Sequence, residues 1–306
     1  MGEDVNEDDE QDGGFEAVAR EISSQLASDC ASEPESSVSG GSINRCYRWR
    51  CGDTPLFVKV ADRSGGAGLE AEAAGLLVLA QAQAIRVPRV LARGAAGRTA
   101  FLALEWIESR PAGRSAEHRL GERLAAQHQV TAPQFGLADD NFIGRTRQPN
   151  GWLREWTEFF RERRLRHQLA LAMQNGFAEL LEQPGARLLE STAALLAGHS
   201  PRPSLLHGDL WAGNWLADEQ DEAWIFDPAV YYGDREADLA MTRLFGGFGR
   251  AFYDAYLSAA PLPPGHAVRA ELYNLYHVLN HANLFGGGYA RQARASIDRL
   301  LCEIRG

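Results

Sequence analysis

The stretch LLHGDLWAGNWL, residues 205–216, sets the tightest limit on what this chain can fold into. It carries an acid, Asp209, and an amide, Asn214, five positions apart, each with a glycine beside it. A small apolar run precedes the polar group and another follows. Whatever fold forms must hold these two side chains on one short loop.

The chain upstream suggests how. From Phe15, the residues Phe15, Val18, Ala19, Ile22 and Leu26 recur at three- and four-residue steps and form one apolar helical stripe. The Ser/Gly-rich passage ESSVSGGSIN follows. RCYRWRC alternates and reads as a strand; GDTP is a turn; LFVKV is a second strand with Lys59 as its one charge. GLEAEAAGLLVLAQA is rich in helix formers, and VPRVLARG and TAFLALEWI read as two more strands. Residues 14–107 therefore read as β-β-α-β-β behind a leading helix.

Residues 108–306 read as mainly helical. APQFGLADDNFIGRTRQPNGW is a long loop, and LREWTEFFRERRLRHQLALAMQNG is a long amphipathic helix capped at Gly176. The fold class is α+β with two lobes: a small β-rich N-lobe and a larger, mainly helical C-lobe. Residues 1–13 are strongly acidic and read as a disordered tail without the basic and apolar regions of a secretion signal.

Composition excludes several function classes. The chain has 306 residues, 45% hydrophobic and 24% charged, as in a globular enzyme. A net charge of -10 argues against a nucleic-acid partner, which needs clustered cations. No apolar stretch approaches the roughly 20 residues of a membrane span. Cys30, Cys46, Cys51 and Cys302 form no CxxC pair and read as reduced thiols of a cytoplasmic protein.

The spacing of Asp209 and Asn214 is that of the H-x-D-x-x-x-x-N loop of phosphotransferases. An acid there accepts the proton of an attacking hydroxyl. An amide oxygen a short loop away ligates the metal that screens the phosphates. A second acid must anchor Mg²⁺, and Asp227 in WIFDP leaves an apolar strand-like run downstream. The remaining needs of ATP-dependent phosphoryl transfer appear in chain order. Gly40, Gly41 and Ser42 belong to a glycine-bearing loop whose N–H groups can cover phosphates. Lys59 is a cation for the α/β-phosphates, with Glu70 or Glu72 on the next helix to orient it. Glu105 and Ile107 lie in LEWIE, where a hinge would offer backbone groups to adenine.

GGSIN, FVKV, EAEAAGL, DNFIG, QPNGW, EFFRERRL, HGDLWAGNW, DPAVYYGDREADLAM and NLFGGGY run in this order from residue 40 to 290. In these motifs the chain resembles the fructosamine-3-kinase (ketosamine-3-kinase) family, within the wider aminoglycoside-phosphotransferase-like group. The resemblance implies a protein-kinase-like fold and ATP- and Mg²⁺-dependent phosphorylation of the 3-hydroxyl of ketosamines. These are ribulosamines or fructosamines, free or on glycated protein amines, and the product falls apart to free the amine. Carried over by position, it implies Asp209 as base, Asn214 and Asp227 as Mg²⁺ ligands, Lys59 on phosphate, and Glu72 as its partner ahead of Glu70. Many members carry Cys where this loop has Ser42.

Structural readings stand beside these. His207 reads as a histidine bonded to backbone. Lys59 is either a phosphate ligand or a snorkelling lysine. Glu70 and Glu72 diverge by roughly 200° around a helix, so only one can face Lys59. Trp211 either packs or offers a face to a sugar ring. His281 and Asn283 either line the acceptor site or belong to a glycine-capped helix end. Asp234, Arg235, Glu236 and Asp238 read as an ion-pair network holding the metal loop, with direct catalysis as the second reading. The competing functions are a kinase of another hydroxylated amine, such as choline or an aminoglycoside, and a catalytically silent nucleotide-binding scaffold.

Overall fold

The computed structural model describes residues 7–38 and 44–304. The chain divides into two units. One comprises Met1–Gln81 and Val87–Ser109, the other Ala82–Arg86 and Arg110–Gly306.

The first unit is a five-stranded sheet with helices. Its elements are α1 (Glu7–Leu26), β1 (Ser36–Ser37), β2 (Arg45–Cys51), β3 (Thr54–Asp62), α2 (Gly66–Ala82), β4 (Val90–Ala96) and β5 (Thr99–Glu105). The strand order is β1-β2-β3-β5-β4. The α1 helix takes in residues 7 to 13, which the sequence reading left in a disordered tail. Val18, Ala19 and Ile22 pack with Trp49, Leu56, Val58, Val60 and Phe101. Each fully buried side chain of this kind contributes about 1.5–3 kcal/mol. Phe15 meets Tyr47 and Trp49 edge-on at 5.2 and 5.6 Å.

This packing decides where Lys59 points. Successive side chains of a strand alternate between faces. Val58 and Val60 are committed to the α1 side, so Lys59 is turned to the opposite face.

The reading of four reduced thiols needs correction: Cys30 and Cys51 form a disulfide, and Cys46 and Cys302 stand outside it. The pairing ties the segment after α1 to the end of β2. It arises from tertiary approach, with a sequence separation of 21 and no motif to announce it.

The second unit is mainly helical. After α3 (Arg114–Gln127), the stretch read as one long loop contains a hairpin, Asn141–Ile143 against Thr146–Gln148. Asn141 and Gln148 are buried polar residues there, so the strands are too short and polar to show an apolar alternation. Helical structure then runs from Trp156 to Leu195, interrupted at Gly176, whose φ of 87° ends regular geometry. Strand Ser204–Leu206 pairs antiparallel with Tyr231–Gly233, and Trp215–Asp218 pairs with Ala223–Ile225. Four helices close the chain: Glu236–Leu244, Arg250–Ala259, His266–Phe285 and Gly287–Glu303. Trp156, Phe159, Phe160, Leu206, Tyr231 and Tyr273 belong to its core. Among the described residues no helix is long and apolar enough to cross a membrane.

Candidate active site

The buried strand Ser204–Leu206 delivers His207, Gly208 and Asp209 to its end. Gly208 has φ +83°, and a Cβ there would collide with the carbonyl of Ala229. A side chain at this position would push apart the two segments that carry Asp209 and Asp227.

His207 is fully buried, and its ring bonds backbone. Its Nδ1 accepts the Asp209 N–H at 3.3 Å, and its Nε2 is 2.9 Å from the carbonyl of Phe226. Desolvation holds its pKa below the usual imidazole value. It therefore stays neutral and staples the turn that carries Asp209 to the residue before Asp227.

Asp238 completes the frame. Its Oδ2 accepts the His207 N–H at 2.8 Å, its Oδ1 accepts the Gly208 N–H at 2.8 Å, and His128 Nε2 lies 3.1 Å from Oδ2. Burial opposes the carboxylate, but these donors hold its pKa below the usual value. The neighbouring acids have other partners. Asp234 Oδ2 lies 2.6 Å from both His199 Nε2 and the Tyr273 hydroxyl, and Arg269 clasps Glu236 at 2.8 and 2.9 Å.

Asp209 is partly exposed, and its pKa is pushed up to about 7. Desolvation is the main cause, followed by the negative charges of Asp227 and Asp238. Asn214 lies in the 3₁₀ turn Ala212–Asn214 and donates Nδ2–H to the Asp209 carbonyl at 2.8 Å. That bond orients the amide, so Oδ1 remains the group suited to a cation. Asp227 has φ 56°, a left-handed conformation uncommon outside glycine. Such backbone costs on the order of 1 kcal/mol and persists only where its surroundings impose it. The hairpin supplies part of that frame: Asn141 Nδ2 donates to the Val230 carbonyl at 2.8 Å and Gln148 Nε2 to the Ala229 carbonyl at 3.1 Å. An amide oxygen and a carboxylate are the hard oxygen donors that Mg²⁺ takes, so Asn214 and Asp227 fit the ion.

In the first unit, Lys59 Nζ lies 2.8 Å from Glu72 Oε1, with side chains 5% and 11% exposed. Glu70 instead pairs with Arg93 at 3.3 Å on the surface. The Glu105 N–H is donated to the Arg89 carbonyl at 2.9 Å, and its carboxylate takes Arg89 Nε at 3.1 Å. Ile107 follows the end of β5 and is half-buried. Gly40, Gly41 and Ser42 lie outside the described residues.

Trp211 is half-buried and lays its indole over Gly213, where a Cβ would collide with the ring. His281 bonds the His277 carbonyl through Nδ1 at 2.8 Å, and its ring sits 4.5 Å from Phe245 and 5.1 Å from Tyr289. Asn283 is tied to structure: its Nδ2 donates to the Gln168 carbonyl and Oε1 at 3.0 and 2.8 Å, and its Oδ1 accepts from Asn175. The sequence reading did not include His277, whose Nδ1 lies 4.0 Å from Asp209 Oδ1. The one signal for it is spacing: His277 and His281 stand four apart on one helix face.

The family model for fructosamine kinase matches residues 14–303. The chain belongs to the fructosamine kinase family. It is 44% identical over 288 residues to a probable ketoamine kinase of Synechocystis sp., covering 94% of this chain and 97% of that one. It is 40% identical over 272 residues to the chloroplastic protein-ribulosamine 3-kinase of Arabidopsis thaliana, covering 88% and 83%. The crystal structure of a candidate fructosamine-3-kinase from Haemophilus somnus superposes with a TM-score of 0.86 at 30% identity, over 94% and 98% of the two chains. An aminoglycoside phosphotransferase solved with ADP and hygromycin B shares the fold alone, with a TM-score of 0.64 at 15% identity over 95% and 99%. The fructosamine kinase fold is thus protein-kinase-like.

Proposed function

We propose that this member of the fructosamine kinase family transfers the γ-phosphoryl group of ATP to the 3-hydroxyl of a ketosamine. The acceptor is a ribulosamine or fructosamine, free or carried on a protein amine. The observation that carries the reading is the frame around Asp209: His207 and Asp238 hold its turn, and Asn214 is bonded to its own carbonyl.

Asp209 orients the acceptor hydroxyl and takes its proton as the oxygen attacks phosphorus. A base with its pKa near ambient pH is well matched to that transfer. Asn214 and Asp227 would hold Mg²⁺, which screens the phosphate charge when bound. Lys59, kept in place by Glu72, pairs with phosphate oxygens. Most of the acceleration comes from positioning and electrostatics, because phosphoryl transfer needs little covalent chemistry from the protein.

The test is ATP consumption with Mg²⁺ against a ribulosamine, a fructosamine, choline and an aminoglycoside, with Asp209→Asn as control. Turnover on a ketosamine that vanishes in the variant is the expected result. Turnover confined to choline or the aminoglycoside would sink the assignment of substrate. ATP binding without turnover on any of the four would leave a nucleotide-binding scaffold instead.

A further inference from the structure

His277 projects from helix His266–Phe285 with its side chain 5% exposed. Its Nδ1 is buried and has no hydrogen-bond partner among the described residues. A buried polar atom left unmade costs about 1–3 kcal/mol and calls for an explanation. The Asp209 carboxylate stands close by, but 4.0 Å from Nδ1 to Oδ1 is too long for a hydrogen bond.

The gap suits a shared guest. Two atoms at that separation can each lie about 2.8 Å from one hydroxyl oxygen, subtending about 90° there. That angle is close to the one between a hydroxyl's O–H bond and its lone pair. The ring is held for this purpose: it packs edge-on against Tyr276 at 5.1 Å, and the Tyr276 hydroxyl is anchored on Gln148 Oε1 at 2.7 Å. The backbone carbonyl of His277 is occupied by His281 Nδ1 at 2.8 Å.

We propose that His277 is an acceptor-positioning residue whose Nδ1–H donates to the hydroxyl oxygen that Asp209 deprotonates. This rests on the proposed kinase reading and adds a second contact to the reacting group. The hydroxyl hydrogen goes to Asp209, one lone pair accepts from Nδ1–H, and the other is directed at phosphorus. Burial lowers the His277 pKa to about 3, so the ring is neutral at physiological pH and does not compete for the proton. The same contact rejects acceptors whose reacting carbon cannot bring an oxygen between the two groups.

Asparagine places an amide near the position of Nδ1, whereas phenylalanine fills the space with no polar atom. Steady-state kinetics with ATP, Mg²⁺ and a ketosamine should show His277→Phe lowering acceptor kcat/KM by about tenfold or more, the effect of one lost hydrogen bond. KM for ATP should stay within twofold, and His277→Asn should recover most of the loss. As a second readout, protein labelled with ¹⁵N-histidine and carrying Asp209→Asn should show the His277 Nδ1 resonance move when the ketosamine is added. The proposal is overturned if His277→Phe matches the native enzyme, if His277→Asn is as impaired as His277→Phe, or if the resonance stays still. If native protein uses only choline or an aminoglycoside, the ketosamine reading fails. The same variants measured on that acceptor then judge His277 separately.

Discussion

The Asp238 carboxylate holds the Gly208 backbone: its Oδ1 accepts the Gly208 N–H at 2.8 Å across thirty residues of chain. Asp238 also accepts the N–H of His207 and faces His128, so all three neighbours offer it donors. Asparagine here would aim an amide N–H at another N–H. Asp238→Asn is expected to cost about 2–4 kcal/mol in urea unfolding. It should also cut kcat at least about 100-fold by letting Asp209 shift. Activity within tenfold of native would show that the turn keeps its shape without this acceptor.

Lys59 and Glu72 form a nearly buried pair, whereas Glu70 and Arg93 pair on the surface. Removing one partner of a buried pair leaves an uncompensated charge. Glu72→Ala should therefore destabilise the protein by about 3 kcal/mol, and Lys59→Met with Glu72→Leu should regain most of that. Glu70→Ala should cost less than about 1 kcal/mol. Both variants at Glu72 should lose ATP affinity, measured by calorimetry, while Glu70→Ala keeps it. Equal losses at Glu70 and Glu72 would contradict the assignment.

Asp209 and His277 make opposite contributions to stability against pH in protein stripped of metal. Asp209 is raised to about 7 from 3.8, so its contribution is complete below 3.8 and is lost as pH rises through 7. His277 is lowered to about 3 from 6.5, so its contribution is complete above 6.5 and is lost as pH falls toward 3. From about pH 4 to 6.5 the two slopes oppose one another. In EDTA, Asp209→Asn should therefore lose stability on acidification across that range, by up to about 1.4 kcal/mol per pH unit. His277→Phe should gain over the same range. Denaturant titrations giving parallel curves for the two variants would refute the sign.

The Cys30–Cys51 disulfide closes a loop with 21 residues of separation. A loop of this size is worth about 3 kcal/mol through restriction of the unfolded chain. Dithiothreitol should lower the denaturation midpoint of native protein, and Cys30→Ser should be insensitive to it. Cys302→Ser should respond as native does. Coincident curves with and without reductant would show that the bond adds nothing.

The meeting of Asp209 and Asn214 was legible because it is local in the chain: they share one loop, and the Asn214 amide donates to the Asp209 carbonyl. The strands around Lys59 were legible from alternation and apolar runs. The hairpin at Asn141–Gln148 was not, because its strands are three residues long and their polar side chains face buried backbone rather than an apolar core. Asn283 looked available in a glycine-rich insert, yet its amide is spent on Gln168 and Asn175.

By itself, the sequence determined the order of the main elements, the two-lobed kinase-like class and which residues are candidates for phosphoryl-transfer chemistry. These depend on local periodicity and on short spacings that survive without tertiary contacts. Only the tertiary structure decided that Glu72 rather than Glu70 meets Lys59, that Cys30 joins Cys51, that Asp238 braces Gly208 and that His277 stands beside Asp209. Each of those is an approach of groups separated along the chain or a choice between helix faces, and packing alone determines which face is buried and which distant side chain it meets.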